Sequence, residues 1–219
     1  MIKYVPQLIN LFATLILMLS FAMISQRRVV SLINLFAMQG AALVAASILL
    51  AYATQQSDLY ISAALTLMLK VILIPWMLQR VVRKLNVRWD VETLINIPTT
   101  MLAGIALVIF SFSLALPISR LSSSMAGGSL GIALACVLLA FMMMITRSKA
   151  VPQVIGFLSM ENGLIFAATT VTSGMPMIVE FGIALDVLVG VLILGVFMFQ
   201  IREKFDSLDI RNLEALKED

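Results

Sequence analysis

Seven apolar stretches of about twenty residues follow one another along the chain, with short polar breaks between them. They cover residues 4–25, 29–53, 59–80, 97–118, 128–146, 150–172 and 176–200. The breaks are Gln26-Arg27-Arg28, Gln55 to Asp58, Arg83 to Asp90, Ser122 to Gly128, Arg147-Ser148-Lys149 and Ser173-Gly174. An α-helix rises about 1.5 Å per residue, so about twenty apolar residues cross a hydrocarbon layer about 30 Å thick. Each stretch therefore predicts a spanning helix. The expected fold class is all-α, a polytopic integral membrane helix bundle of about seven transmembrane helices. Only an Arg/Lys bend separates the fifth and sixth stretches, and a six-helix count follows if one short run is re-entrant. The first stretch is long for a signal-peptide core and lacks a small-residue cleavage site before the next run, so it is read as a retained helix.

The basic residues give the bundle a direction. With seven helices, one side receives Arg27, Arg28, Arg80, Arg83, Lys84, Arg88, Arg147, Lys149, Arg202, Lys204, Arg211 and Lys217, and the other only Lys3 and Arg120. The positive-inside rule then puts the N-terminus outside and the charged tail, from Arg202 to Asp219, in the cytoplasm.

Ionisable groups inside the apolar stretches carry the candidate chemistry. Glu161 lies in the middle of its stretch, Lys70 in the middle of the third, and Asp186 in the middle of the last. Glu180 lies about one turn inside that last stretch, close enough to its end to snorkel toward the surface. A charge held in hydrocarbon is costly, and such groups mark ion or proton paths or pair with neighbouring helices and subunits. A buried carboxyl is pulled toward its neutral form by desolvation and toward its charged form by a nearby cation, and a group balanced between the two can load and release a proton. Gln39, at the same depth in the second stretch, adds a polar group that cannot titrate. Gln39, Lys70, Glu161 and Asp186 at one depth predict a polar track in the plane of the membrane. The alternative role for each is helix–helix glue.

Composition sets limits on other chemistry. With 61% hydrophobic and 12% charged residues, the chain falls outside the soluble class. Cys136 is the single cysteine, which excludes an internal disulfide, and no histidine is present to ligate haem or most transition metals. No nucleophile–base pair or phosphate loop is legible, so no catalytic residue, cofactor site or metal site is assigned to this chain. The basic balance is explained by topology and does not predict nucleic-acid binding. Phe141-Met142-Met143-Met144 reads as adaptable packing, Trp76 and Trp89 as interface anchors, Pro75 and Pro98 as helix kinks or starts, and Gly127, Gly128 and Gly131 as points of close helix approach.

At an offset of 122 residues, Ser25 to Ala46 lies over Arg147 to Ala168, with Val29/Val151, Ile33/Ile155, Met38/Met160, Ala45/Ala167 and Ala46/Ala168 identical, Gln39 over Glu161 and Arg27 over Lys149. This suggests a domain order of an N-terminal three-helix unit over 1–95, a linking helix over 96–120, a second three-helix unit over 121–201 and a tail over 202–219.

The stretch from Arg147 to Ala168, with Met160-Glu161-Asn162-Gly163 at its centre, resembles the second helix of the NuoK-like subunit of complex I and of the Mrp antiporter C subunit, where a basic bend precedes a helix with a buried glutamate. From about Arg27 to the C-terminus the chain resembles the hydrogenase-4 component E family, the formate-hydrogenlyase membrane subunits. The resemblance rests on Leu69-Lys70-Val71-Ile72-Leu73-Ile74-Pro75, on Met160 to Gly163, on Val179 to Asp186 and on Leu208 to Lys217. It implies a non-catalytic core subunit of a complex I-like membrane arm in a bacterial or archaeal cytoplasmic membrane, helping a proton path to couple electron transfer to ion movement. The implied partners are antiporter-like membrane subunits, a NuoH-like membrane subunit, and cytoplasmic hydrogenase subunits with nickel–iron and iron–sulfur centres. By position, Glu161 matches the buried glutamate in the second helix of the NuoK-like subunits, and Glu180 or Asp186 their third-helix carboxylate. In a degenerate N-terminal copy, Gln39 would hydrate the track without accepting the proton. The alternative implied by the Mrp likeness is a subunit of a cation/proton antiporter with no redox partner.

Overall fold

The computed structural model describes residues 5–84, 95–121 and 126–172, together with Gly190. Apart from Gly190, all of these fall in one compact unit, Met1–Ala184. The elements are α1 (Val5–Ser25), α2 (Val29–Thr54), α3 (Ser57–Thr66), a π-helical segment (Leu67–Leu73), α4 (Ile74–Lys84), α5 (Ile97–Leu121), α6 (Ala126–Thr146) and α7 (Ala150–Thr172). Among the described residues, six helical spans are long and apolar enough to cross a membrane, which makes the molecule a polytopic helix bundle. The expected span over 176–200, with Glu180 and Asp186, lies outside the described residues, as do Arg88, Trp89 and the C-terminal tail.

Backbone groups in lipid must be satisfied within the protein, and continuous apolar runs of about twenty residues achieve this as helices, whose hydrogen bonds all lie within the segment. The polar breaks end them. Gln26, Arg27 and Arg28 make a tight turn between α1 and α2, with Arg27 and Arg28 exposed. Gln55 closes α2 in the left-handed conformation (φ 56°, ψ 30°), a common way to end a helix.

The antiparallel pairs α1–α2 and α6–α7 pack side by side, α1 against α6 and α2 against α7, and α5 runs along α6. Where the four helices meet lie Ala13, Ile16 and Leu19 of α1, Ala42, Leu43 and Ala46 of α2, Ala133 and Cys136 of α6, and Phe166 of α7. The many small residues suit a membrane setting, where backbone approach and van der Waals packing replace the hydrophobic drive. Gly131 follows this logic, since a Cβ there would stand 2.9 Å from the Phe112 ring of α5.

The stretch 59–80, expected as one regular helix, contains an interruption. It runs as α3, then seven residues of π-helix, then α4, all packed along α2. Pro75 supplies a physical reason. It has no N–H to give to the carbonyl four residues back, and a wider turn just upstream accommodates the loss. At the end of that turn, the Ile74 N–H reaches the Leu69 carbonyl, five residues back.

Candidate functional site

Lys70 sits at the centre of the π-helical segment and is completely buried. The extra residue per turn rotates the helix face locally, and such segments recur at functional sites. Gly40 of α2 lets this segment approach, because a Cβ there would stand 3.3 Å from Val71 Cγ2 and 3.6 Å from Lys70 Cβ. Across the bundle, Glu161 lies near the middle of α7, also fully buried. The two meet: Lys70 Nζ is 3.3 Å from Glu161 Oε1. Two full charges buried together in hydrocarbon are tolerable only as a pair, since either alone would bear the whole desolvation cost.

A second set of polar groups lies beside the pair. Asn162, next to Glu161, donates from Nδ2 to Gln39 Oε1 at 3.1 Å. Gln39 donates from Nε2 to Ser20 Oγ at 2.7 Å, and Ser20 donates to the Ile16 carbonyl at 2.9 Å. All three side chains are buried. Asn162 Oδ1 and Ser159 Oγ are buried with no hydrogen-bond partner among the described residues. The arrangement is therefore an ion pair between the third span and α7, flanked by an amide–hydroxyl chain running from α7 through α2 to α1. It can hold a charge pair, exchange a proton between carboxylate and ammonium, and orient groups around them. Among the described residues no cluster of His, Cys, Asp and Glu could hold a metal ion.

Of the candidates named from the sequence, Lys70 and Glu161 touch directly. Gln39 reaches the same region through Asn162, one residue beyond the position over which the 122-residue offset placed it. Sequence reasoning missed Ser20, the part Asn162 plays beside Glu161, and the π-helical segment. Asn162 had a signal, since it adjoins the one carboxylate of its stretch. Ser20 had none, as a lone hydroxyl in an apolar helix usually bonds back to its own helix.

Arg147 reads from the sequence as a topology determinant and as part of the basic bend before the Glu161 helix, yet it is 1% exposed. Its Nη2 donates to the Ile24 carbonyl at 2.6 Å and the Met23 carbonyl at 3.5 Å. Those carbonyls end α1, so a cation from the α6–α7 turn caps the negative end of another helix.

Comparison with known proteins places relatives along nearly the whole chain. It is 30% identical over 212 residues to the uncharacterized protein Rv0085 of Mycobacterium tuberculosis, covering 96% of each chain. It is 24% identical over 210 residues to hydrogenase-4 component E of Escherichia coli K12, covering 96% of this chain and 97% of the relative, and equally so to the Shigella flexneri protein of that name. No protein-family model and no solved structure matches it.

Proposed function

The chain belongs to the same family as the uncharacterized protein Rv0085 of Mycobacterium tuberculosis, and from that footing we propose that it is a non-catalytic membrane-arm subunit of a complex I-like, membrane-bound hydrogenase of the hydrogenase-4 or formate-hydrogenlyase type. Its similarity to hydrogenase-4 component E over almost all of both chains supports the assembly. The observation that carries the function is the Lys70–Glu161 pair, a titratable acid and base 3.3 Å apart in the middle of two membrane spans. In this reading, electron transfer takes place in cytoplasmic partners with nickel–iron and iron–sulfur centres. Antiporter-like subunits and a NuoH-like membrane subunit flank this chain in the cytoplasmic membrane.

The chemistry needs only proton transfers. In the resting pair, Glu161 is a carboxylate held by the Lys70 ammonium. A proton delivered to Glu161 cancels the charge that holds Lys70, and Lys70 passes its own proton onward. When Glu161 gives up its proton, Lys70 takes it and the pair re-forms. The Asn162–Gln39–Ser20 chain keeps α7, α2 and α1 in register while the charge changes. Glu180 and Asp186 would extend the path beyond this pair.

The test is Glu161→Gln in the complex purified through a tag on the tail. The amide can still accept from Lys70, so the complex should assemble and evolve hydrogen while vesicles containing it lose proton translocation. Full translocation by the variant would overturn the path. Co-purification of antiporter-like subunits with no nickel–iron or iron–sulfur protein would replace the hydrogenase reading with that of an Mrp-type cation/proton antiporter.

A further inference from the structure

Resting on that reading of Lys70 and Glu161, we propose that Ser47, Ser62 and Thr66 line a one-sided access path by which Lys70 exchanges protons with the membrane face opposite the basic turns. Ser62, Thr66 and Lys70 recur at four-residue intervals along the third span, which keeps them near one face apart from the local shift of the wider turn. Ser47 belongs to the facing surface of α2. It lies seven residues beyond Gly40, two turns along the same face, and Gly40 abuts Lys70 and Val71. The two helices are joined by a short turn and run antiparallel, so Ser47 lies level with the Ser62–Thr66 stretch. All three hydroxyl residues are at least nine-tenths buried.

Two observations turn this stripe into a path. Ser159 apart, several hydroxyls elsewhere in the bundle satisfy themselves on their own helix: Ser111 bonds to Leu107, Thr146 to Met142, Thr169 to Ile165 and Thr170 to Phe166, all through backbone carbonyls. Ser47, Ser62 and Thr66 make no such bond among the described residues, leaving their donors and acceptors for water. The other observation is asymmetry. Continuing past Lys70 toward Arg80 and Arg83, the same face presents Ile74, Leu78 and Val82, each 1–2% exposed. Hydroxyls can carry a hydrogen-bonded water chain, and this aliphatic row cannot. Lys70 thus exchanges protons with the outer side through the hydroxyl row and is closed to the basic side along its own helix. Exchange with that side must pass through Glu161.

The test reads access without relying on proton pumping. In the intact complex carrying Cys136→Ala, the single replacements S62C, T66C and L78C are exposed to Ag+, a thiol reagent small enough to follow a water chain, from one side of sealed vesicles at a time. Thiols left unreacted are then counted with a maleimide after denaturation. The expected result is that S62C and T66C lose maleimide labelling when Ag+ is on the side opposite the basic turns, while L78C keeps it from both sides. Protected thiols at both 62 and 66, or L78C reacting as readily from the basic side, would overturn the proposal. A second reading uses turnover: Thr66→Val should slow proton translocation by up to about tenfold, the value of one hydrogen bond, and Thr66→Ser should restore it. Equal rates for the two would also overturn it. These outcomes stand apart from the Glu161→Gln result, since a chain that pumps through another route still reports whether Lys70 opens to one side.

Discussion

The central fact at the scale of single residues is that Lys70 and Glu161 are each fully buried and 3.3 Å apart. Breaking a buried pair by removing one partner commonly costs about 3–5 kcal/mol, because the other charge is left uncompensated, whereas replacing both is far milder. Lys70→Met should therefore lower the thermal unfolding midpoint of the purified complex, and Lys70→Met with Glu161→Gln should recover part of the loss. A double-mutant coupling of about 1–3 kcal/mol is expected, and strictly additive shifts would show that the two side chains do not interact in the membrane. These residues were legible in the sequence because charge stands out in an apolar run. Their partnership was not, because one sequence does not give the rotational phase of two helices far apart in the chain. Gln39 shows the same limit. Its depth pointed to the polar layer, but its bonds to Ser20 and Asn162 depend on which way α1 and α7 turn.

The elements were legible as apolar stretches, and what escaped was irregularity within them. The third stretch carried two signals of its π-helical segment, Pro75 and the cation at Lys70, but neither fixes where the wide turn falls. Glycine placement is the other determinant at this scale. A Cβ at Gly163 would meet Val137 Cγ2 at 3.0 Å, Cys136 Cβ at 3.2 Å and the Ala133 carbonyl oxygen at 3.3 Å, so backbone as well as side chains of α6 block it. At Gly40 the closest atom is the Val71 side-chain methyl at 3.3 Å. Gly163→Ala requires α6 and α7 to give by a few tenths of an ångström against backbone as well as side chains, and should cost about 1–3 kcal/mol of stability. Gly40→Ala needs only a small adjustment of Val71 and should cost less. Thermal unfolding of the two variants checks the order, and a reversed order would mean that the α6–α7 seam is looser than its geometry.

Over the whole molecule, the α1–α2 pair and the α6–α7 pair must be held in register if Glu161 is to meet Lys70. Small residues provide the contact surface but little directionality. Arg147 supplies direction, reaching from the α6–α7 turn to the last carbonyls of α1 and bringing the two basic turns to the same end of the bundle. That common end is what the distribution of Lys and Arg required, although nothing in that distribution marks one of these cations as structural. Burial pushes the Arg147 guanidinium below its ordinary value, which means folding disfavours its charged form. The resulting gain in stability would appear only as the pH rises toward that ordinary value, so the contribution of Arg147 should be flat across the neutral range. Arg147→Ala removes charge-assisted bonds worth about 1.5–3 kcal/mol each and frees the end of α1. It should lower the unfolding midpoint by the same amount at mildly acidic and mildly alkaline pH, with Arg147→Lys falling between the variant and the parent. A loss that grew steeply with pH would instead assign the latch to some other titrating group.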